Sequence, residues 1–176
     1  MAHKSLLMVL ILAGAVSISG CGESENAGVA TGNFVAEISG TVSGRVSGPG
    51  IIRFLPASAG NFSAHPTYFF IADDSGVREL GITFTIPANT RPGKYQLVSG
   101  HPMDVGKHFE VRVDRSVGDR TESFGFNTKG TLTIEAIPVD GVHVAGERVT
   151  GRFDFSTQDR SGKEVKGQGT FDFEGS

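Results

Sequence analysis

Two patterns of apolar residues divide the chain. From Leu6 to Val16 they form a nearly unbroken run, whereas from Phe34 onward they alternate with polar residues. A period of two places successive side chains on opposite faces of a β-sheet. In the first alternating segment Phe34, Ala36, Ile38, Val42 and Val46 share one parity, and Glu37, Ser39, Thr41, Ser43 and Arg45 hold the other. One face is therefore buried and one is wet. Gly40 and Gly44 fall on the apolar parity, where a missing side chain points to a bulge or to the close approach of a neighbouring strand. Further strands are predicted over residues 51–55, 67–72, 80–86, 94–99, 108–113, 131–137, 142–157 and 165–174. Turn chemistry separates them at Ser47-Gly48-Pro49-Gly50, Asp73-Asp74-Ser75-Gly76, Asp140-Gly141 and Asp159-Arg160-Ser161-Gly162. Residues 116–129 read either as a polar connection or as one holding a short strand near 123–127.

The clearest unit is the C-terminal hairpin. Val149, Gly151, Phe153 and Phe155 alternate with polar residues before its turn, and Val165, Gly167, Gly169, Phe171 and Phe173 do so after it, so four phenylalanines face one core. Tyr68-Phe69-Phe70-Ile71 breaks the alternation, as a strand covered on both faces would, or one presenting an apolar contact surface. No stretch holds a helical period. The expectation is an all-β fold, an antiparallel two-sheet sandwich of about seven to nine strands.

The apolar run 6–16 follows a basic start at His3 and Lys4. At about eleven residues it is too short to cross a bilayer as a helix but suits the core of an export signal. It ends in Ile18-Ser19-Gly20-Cys21, which resembles the lipobox of bacterial lipoproteins. That resemblance implies cleavage after Gly20, diacylglycerol on the Cys21 sulfur and acylation of the new amine. Residues 1–20 then form a signal peptide, and the mature protein is anchored to a membrane without spanning it. Two or three acyl chains give stable attachment where one is marginal. Gly22 stands where the family's sorting rule reads Asp as inner-membrane retention, so the resemblance favours the outer membrane. Residues 22–33 are small and polar without periodicity, as in a flexible tether. The domain is accordingly expected over 34–176.

Two further resemblances concern the fold. The hairpin 151–174 is similar to the closing hairpin of several bacterial lipoprotein families with β-sandwich domains. Pro87-Ala88-Asn89-Thr90-Arg91-Pro92-Gly93-Lys94-Tyr95 resembles the P-x-x-T-x-P-G-x-Y connection entering a late strand of bacterial immunoglobulin-like domains. It implies an immunoglobulin-like sandwich in which Tyr95 buries its ring and sends its hydroxyl to a backbone partner, as a tyrosine corner does.

Cys21 is the only cysteine, so no disulfide framework can form and stability must come from an apolar core. The roughly 156 residues left after the leader suit a single domain. The net charge is −3, with both signs scattered and no basic block to neutralise a row of phosphates. Nucleic acid is not an expected partner.

Signatures of catalysis are missing: no G-x-S-x-G elbow, phosphate loop, H-E-x-x-H helix or complete EF-hand loop occurs. The sharpest chemical candidate is His101-Pro102-Met103 followed by His108, since Met103 is the one methionine of the mature chain and lies between two imidazoles. Thioether and imidazole suit Cu(I), although a core methionine flanked by loop histidines needs no metal. His65 and His143 join such a site only if the fold brings them near. Asp73–Gly76 offers oxygens for Ca²⁺ but also makes an ordinary turn. The chain has no tryptophan and only Tyr68 and Tyr95, which speaks against an aromatic glycan platform.

The leading expectation is a membrane-anchored lipoprotein of the bacterial envelope, acting without catalysis or cofactor as a binding or scaffolding module for an envelope protein. Two alternatives stay open. One is a periplasmic copper protein using His101, Met103 and His108; the other is a hydrolase with a dispersed Ser/His/acid site.

Overall fold

The computed structural model describes residues 29–55, 67–73, 80–100, 107–138 and 147–175. Within them lie ten strands and no helix: β1 (Val29–Gly40), β2 (Gly44–Leu55), β3 (Thr67–Asp73), β4 (Leu80–Pro87), β5 (Gly93–Gln96), β6 (Glu110–Val117), β7 (Arg120–Phe124), β8 (Phe126–Ala136), β9 (Arg148–Gln158) and β10 (Glu164–Gly175). All pair antiparallel, in the order β5-β8-β9-β10-β1-β2-β3-β4-β6-β7. Most neighbours in space are neighbours in sequence; β10 beside β1, β4 beside β6 and β5 beside β8 are the exceptions.

The two ends of this order meet. Just past β5, Leu97 donates its N–H to Gly130 O at 3.0 Å, and Val98 donates to Phe109 O at 2.9 Å and bridges Glu110. On the other flank β7 runs into β8 through Gly125, whose N–H bonds Gln158 O at 3.0 Å. Asn127 takes φ 48° there, and the β8–β9 register shifts between Phe126 and Lys129. Such irregularities are how a strand leaves one layer for another. The sheet thus folds over into two facing layers: Phe84 of β4 meets Phe153 of β9 with ring centroids 4.8 Å apart and Phe155 at 6.2 Å. This is the expected all-β antiparallel sandwich.

Its core is the apolar parity read from the sequence. Phe34, Ala36, Ile38, Val42 and Val46, then Ile82, Phe84 and Ile86, Val111 and Val113, Leu132 and Ile134, and all four phenylalanines of β9 and β10 are buried. Apart from Ala36, each such side chain contributes about 1.5–3 kcal/mol relative to exposure. The rings fit because glycines lie beside them. In the β9–β10 ladder Phe155 is opposite Gly167, Phe153 opposite Gly169, and Phe171 opposite Gly151. A Cβ on Gly167 would fall 2.4 Å from Phe155 Cζ, and one on Gly169 would fall 2.1 Å from the backbone oxygen of Val35. Rings occupy the space that ordinary side chains would fill.

Four details depart from the sequence reading. First, the segment 34–46 is a hairpin and not one strand, turning over Thr41–Ser43 with Gly40 at φ 107°. The parity survived because β1 and β2 pair even with even residues, Ala36 with Val46 and Ile38 with Gly44. Gly40 is indeed a close approach, its missing Cβ lying 2.6 Å from Glu164 O. Second, Ser47–Gly50 is no turn: β2 runs straight through it. β3 pairs with β2 only from Gly50 onward, so Pro49 sits where β2 has a strand on one side and its missing N–H is tolerated. Third, β1 begins at Val29 and pairs there with β2 and β10, so residues 29–33 belong to the sheet and not to a tether. Ladder bonds to two neighbours hold a stretch whose own composition is coil-like. Fourth, residues 116–129 hold a whole extra strand. β6 and β7 join through Gly118-Asp119, with Gly118 at φ 58°, which brings the count to ten.

Candidate functional site

The strands that bury the Phe–Gly lattice present their other parity to solvent, and that outward face of β5, β8, β9, β10 and β1 carries three shallow grooves. Register sets its rows. One row runs across the strands as Lys94, Thr133, Arg152, Thr170 and Val35; the next as Gln96, Thr131, Asp154, Gln168 and Glu37, ending on Arg45 of β2. A shallow groove lies between these rows, floored by backbone at Phe153 and Gly169. A parallel groove follows toward Lys129, Ser156 and Lys166, and a third toward Thr150 and Asp172.

Cross-strand pairs fix the side chains around the grooves. Arg152 pairs with Glu135, Arg148 grips Asp172 through two nitrogens, and the Thr131 hydroxyl donates to Asp154. Arg45 approaches Glu37 at 3.6 Å across β1 and β2, while within β10 itself Lys166 approaches Glu164 at 3.3 Å. These groups are all well exposed, so each pair is worth about 0–1 kcal/mol. Their effect is order more than stability: donors and acceptors of both signs stand at fixed spacings. Such a face can make reversible hydrogen bonds and ion pairs with a polar, mixed-charge surface.

The end of the sheet that carries the β9–β10 turn holds a carboxylate within a net of donors. Asp159 accepts from the backbone N–H of Ser161 at 2.8 Å and of Lys163 at 2.9 Å, and from the Ser161 hydroxyl at 2.8 Å. Desolvation opposes ionisation there, but the Ser161 hydroxyl, the Lys163 and Ser161 N–H groups and the Lys163 charge outweigh it and hold the carboxyl below its ordinary range. The carboxylate closes the hairpin predicted at this tetrad, with Gly162 at φ 86°.

The residues singled out for chemistry fare unevenly. Cys21, His65, His101, Met103, His143 and the stretch 74–76 lie outside the described residues, as do the side chains of Tyr68 to Ile71. His108 is described: it is exposed and stands two positions before β6, beside the seam at which Val98 meets Glu110. Among the described residues no group of three or more His, Cys, Asp or Glu side chains gathers to hold a metal ion. Tyr95 takes the expected corner: its hydroxyl donates to Arg91 O at 2.6 Å. Its half-buried ring stacks on Phe109, centroids 4.0 Å apart and planes 15° from parallel.

The rows themselves escaped sequence reasoning. Their members are legible as the polar parity of each strand, but which Arg meets which Asp depends on pairing register. No protein-family model matches the chain, and neither the curated proteins nor the solved structures compared with it include a match.

Proposed function

We propose that this chain is a lipid-anchored lipoprotein of the bacterial envelope, held in the outer membrane through Cys21, and that its sandwich is a non-catalytic module binding an envelope protein through the polar outward face of β8, β9, β10 and β1. One observation carries the reading. The Ile18-Ser19-Gly20-Cys21 tetrad and its single cysteine are separated only by residues 22–28 from Val29, where the first strand of the domain starts. An anchor abutting a sandwich raises the domain's effective concentration beside other membrane components, so modest recognition by an ordered polar face is enough.

The test is in-cell crosslinking of the full-length protein, compared with Cys21→Ser and with a face variant carrying Arg152→Glu and Gln168→Arg. The expected result is an envelope protein captured by the lipidated wild type and lost from both variants, together with an intact-mass shift at the mature N-terminus equal to its acyl chains. Capture that is equal in all three, or a mature protein without lipid mass, overturns the reading.

A further inference from the structure

We infer that the end of the sandwich at which β1 begins rests on the lipid headgroups, while the end formed by its hairpin turns points away from the bilayer. This deepens the lipid-anchor reading and depends on it.

Register defines the two ends. Val29 pairs with Arg53, and Ala30 with Gly175, so β1 starts where β2 and β10 finish. Thr67 of β3 pairs with Leu55 and with Pro87, bringing the β3 start and the β4 end to the same level. The turn from Pro87 to Gly93 therefore lies at this near end. At the far end stand the turns Thr41–Ser43, Gly118-Asp119 and Asp159–Gly162.

The strand start at Val29 leaves only residues 22–28 between Cys21 and the sheet, a length that spans at most about 25 Å however the chain runs. A strand of the length of β1 spans about 40 Å. The near end cannot leave the vicinity of the bilayer, and the far turns reach it only if the domain lies flat. Arg91 and Lys94 are exposed beside the near-end turn and Glu147 and Glu174 are exposed at the same end, so the orientation follows from the length between Cys21 and β1 and not from charge. The exposed Val117 and Phe126 lie toward the far end, clear of lipid.

The experiment uses the full lipidated chain, in which the sole native thiol is consumed by lipid, with a single cysteine introduced by Asn89→Cys at the near turn or Asp119→Cys at a far turn. Each is labelled with a fluorophore and reconstituted into phosphatidylethanolamine–phosphatidylglycerol vesicles bearing a headgroup nitroxide quencher. Quenching at position 89 at least about twofold above that at position 119 is expected. Protein that floats with the vesicles but is quenched equally at both positions, or more at 119, overturns the orientation while leaving the anchor intact. Protein that does not float overturns the anchor reading and the orientation together.

Discussion

The two faces of β8, β9, β10 and β1 are built from the same strands and the same ladders, yet they hold together differently. On the inner face Phe153, Phe155, Phe171 and Phe173 are buried, and the glycines opposite them leave no room for a methyl group. On the outer face Arg148, Arg152, Asp154 and Lys166 are exposed and meet partners at their tips. Close packing makes the inner face intolerant of volume in either direction. Water makes the outer face tolerant, because a lost ion pair is replaced by hydration. The stability of the sandwich is thus concentrated on one face of these strands, and the other is free to carry recognition.

That contrast can be broken by substitutions that ought to hurt and do not. The largest loss is expected for Phe153→Ala, which empties a site contacted by Phe34, Phe84 and Phe155; about 3–5 kcal/mol should disappear in a urea unfolding midpoint. Gly169→Ala comes next. Its new methyl would meet the Val35 backbone oxygen as well as the Phe153 ring, so about 1–3 kcal/mol of overpacking is expected, whereas Thr170→Ala one residue along should stay within about 0.5 kcal/mol. Equal costs at 169 and 170 would mean that the faces do not differ.

Smaller effects sharpen the same comparison. Tyr95→Phe removes the bond to the Arg91 carbonyl and keeps the stack on Phe109, so a loss near 1 kcal/mol is expected in thermal melts. A double-mutant cycle on Arg148 and Asp172 should return a coupling below about 1 kcal/mol, and one that shrinks in salt. A salt-independent coupling of several kcal/mol would place that pair in the packed class instead.

The smallest effect is the pH dependence at Asp159. Its folded pKa is depressed, so it adds stability that is fully present above the unfolded carboxyl value of about 3.9 and is lost as pH falls through the folded value. The melting-temperature gap between wild type and Asp159→Asn should be flat from neutral pH down to about pH 5 and close below about pH 4. A gap that widens in acid would contradict the hydrogen-bonded turn.

Much of the fold was legible in the alternation because burial on one face of a strand imposes it residue by residue. The buried positions of β9 and β10 follow the predicted parity, and Tyr95 carries its corner in the local motif around Pro92-Gly93, whereas β4 and β6 also bury Thr85 and Glu110 on the opposite parity. Local signals misled where pairing overrode them. Ser47–Gly50 has turn composition yet is held extended by β1, and residues 29–33 look like tether yet are paired on both sides by β2 and β10. Of the candidate site, the polar residues were visible one strand at a time, but their assembly into rows was not.

The chain by itself determined its all-β character, its inward residues, its C-terminal hairpin and the lipobox-like tetrad at Cys21, because each of these is written within a few residues of itself. Only the tertiary structure decided that β10 closes beside β1, that β7 bends through Gly125 into β8, and that Arg152 lies in a row with Thr133 and Thr170. Those facts depend on which strand pairs with which and in what register, and many pairings satisfy the same alternation. The choice among them falls to the fit of specific rings over specific glycines across the folded sheet.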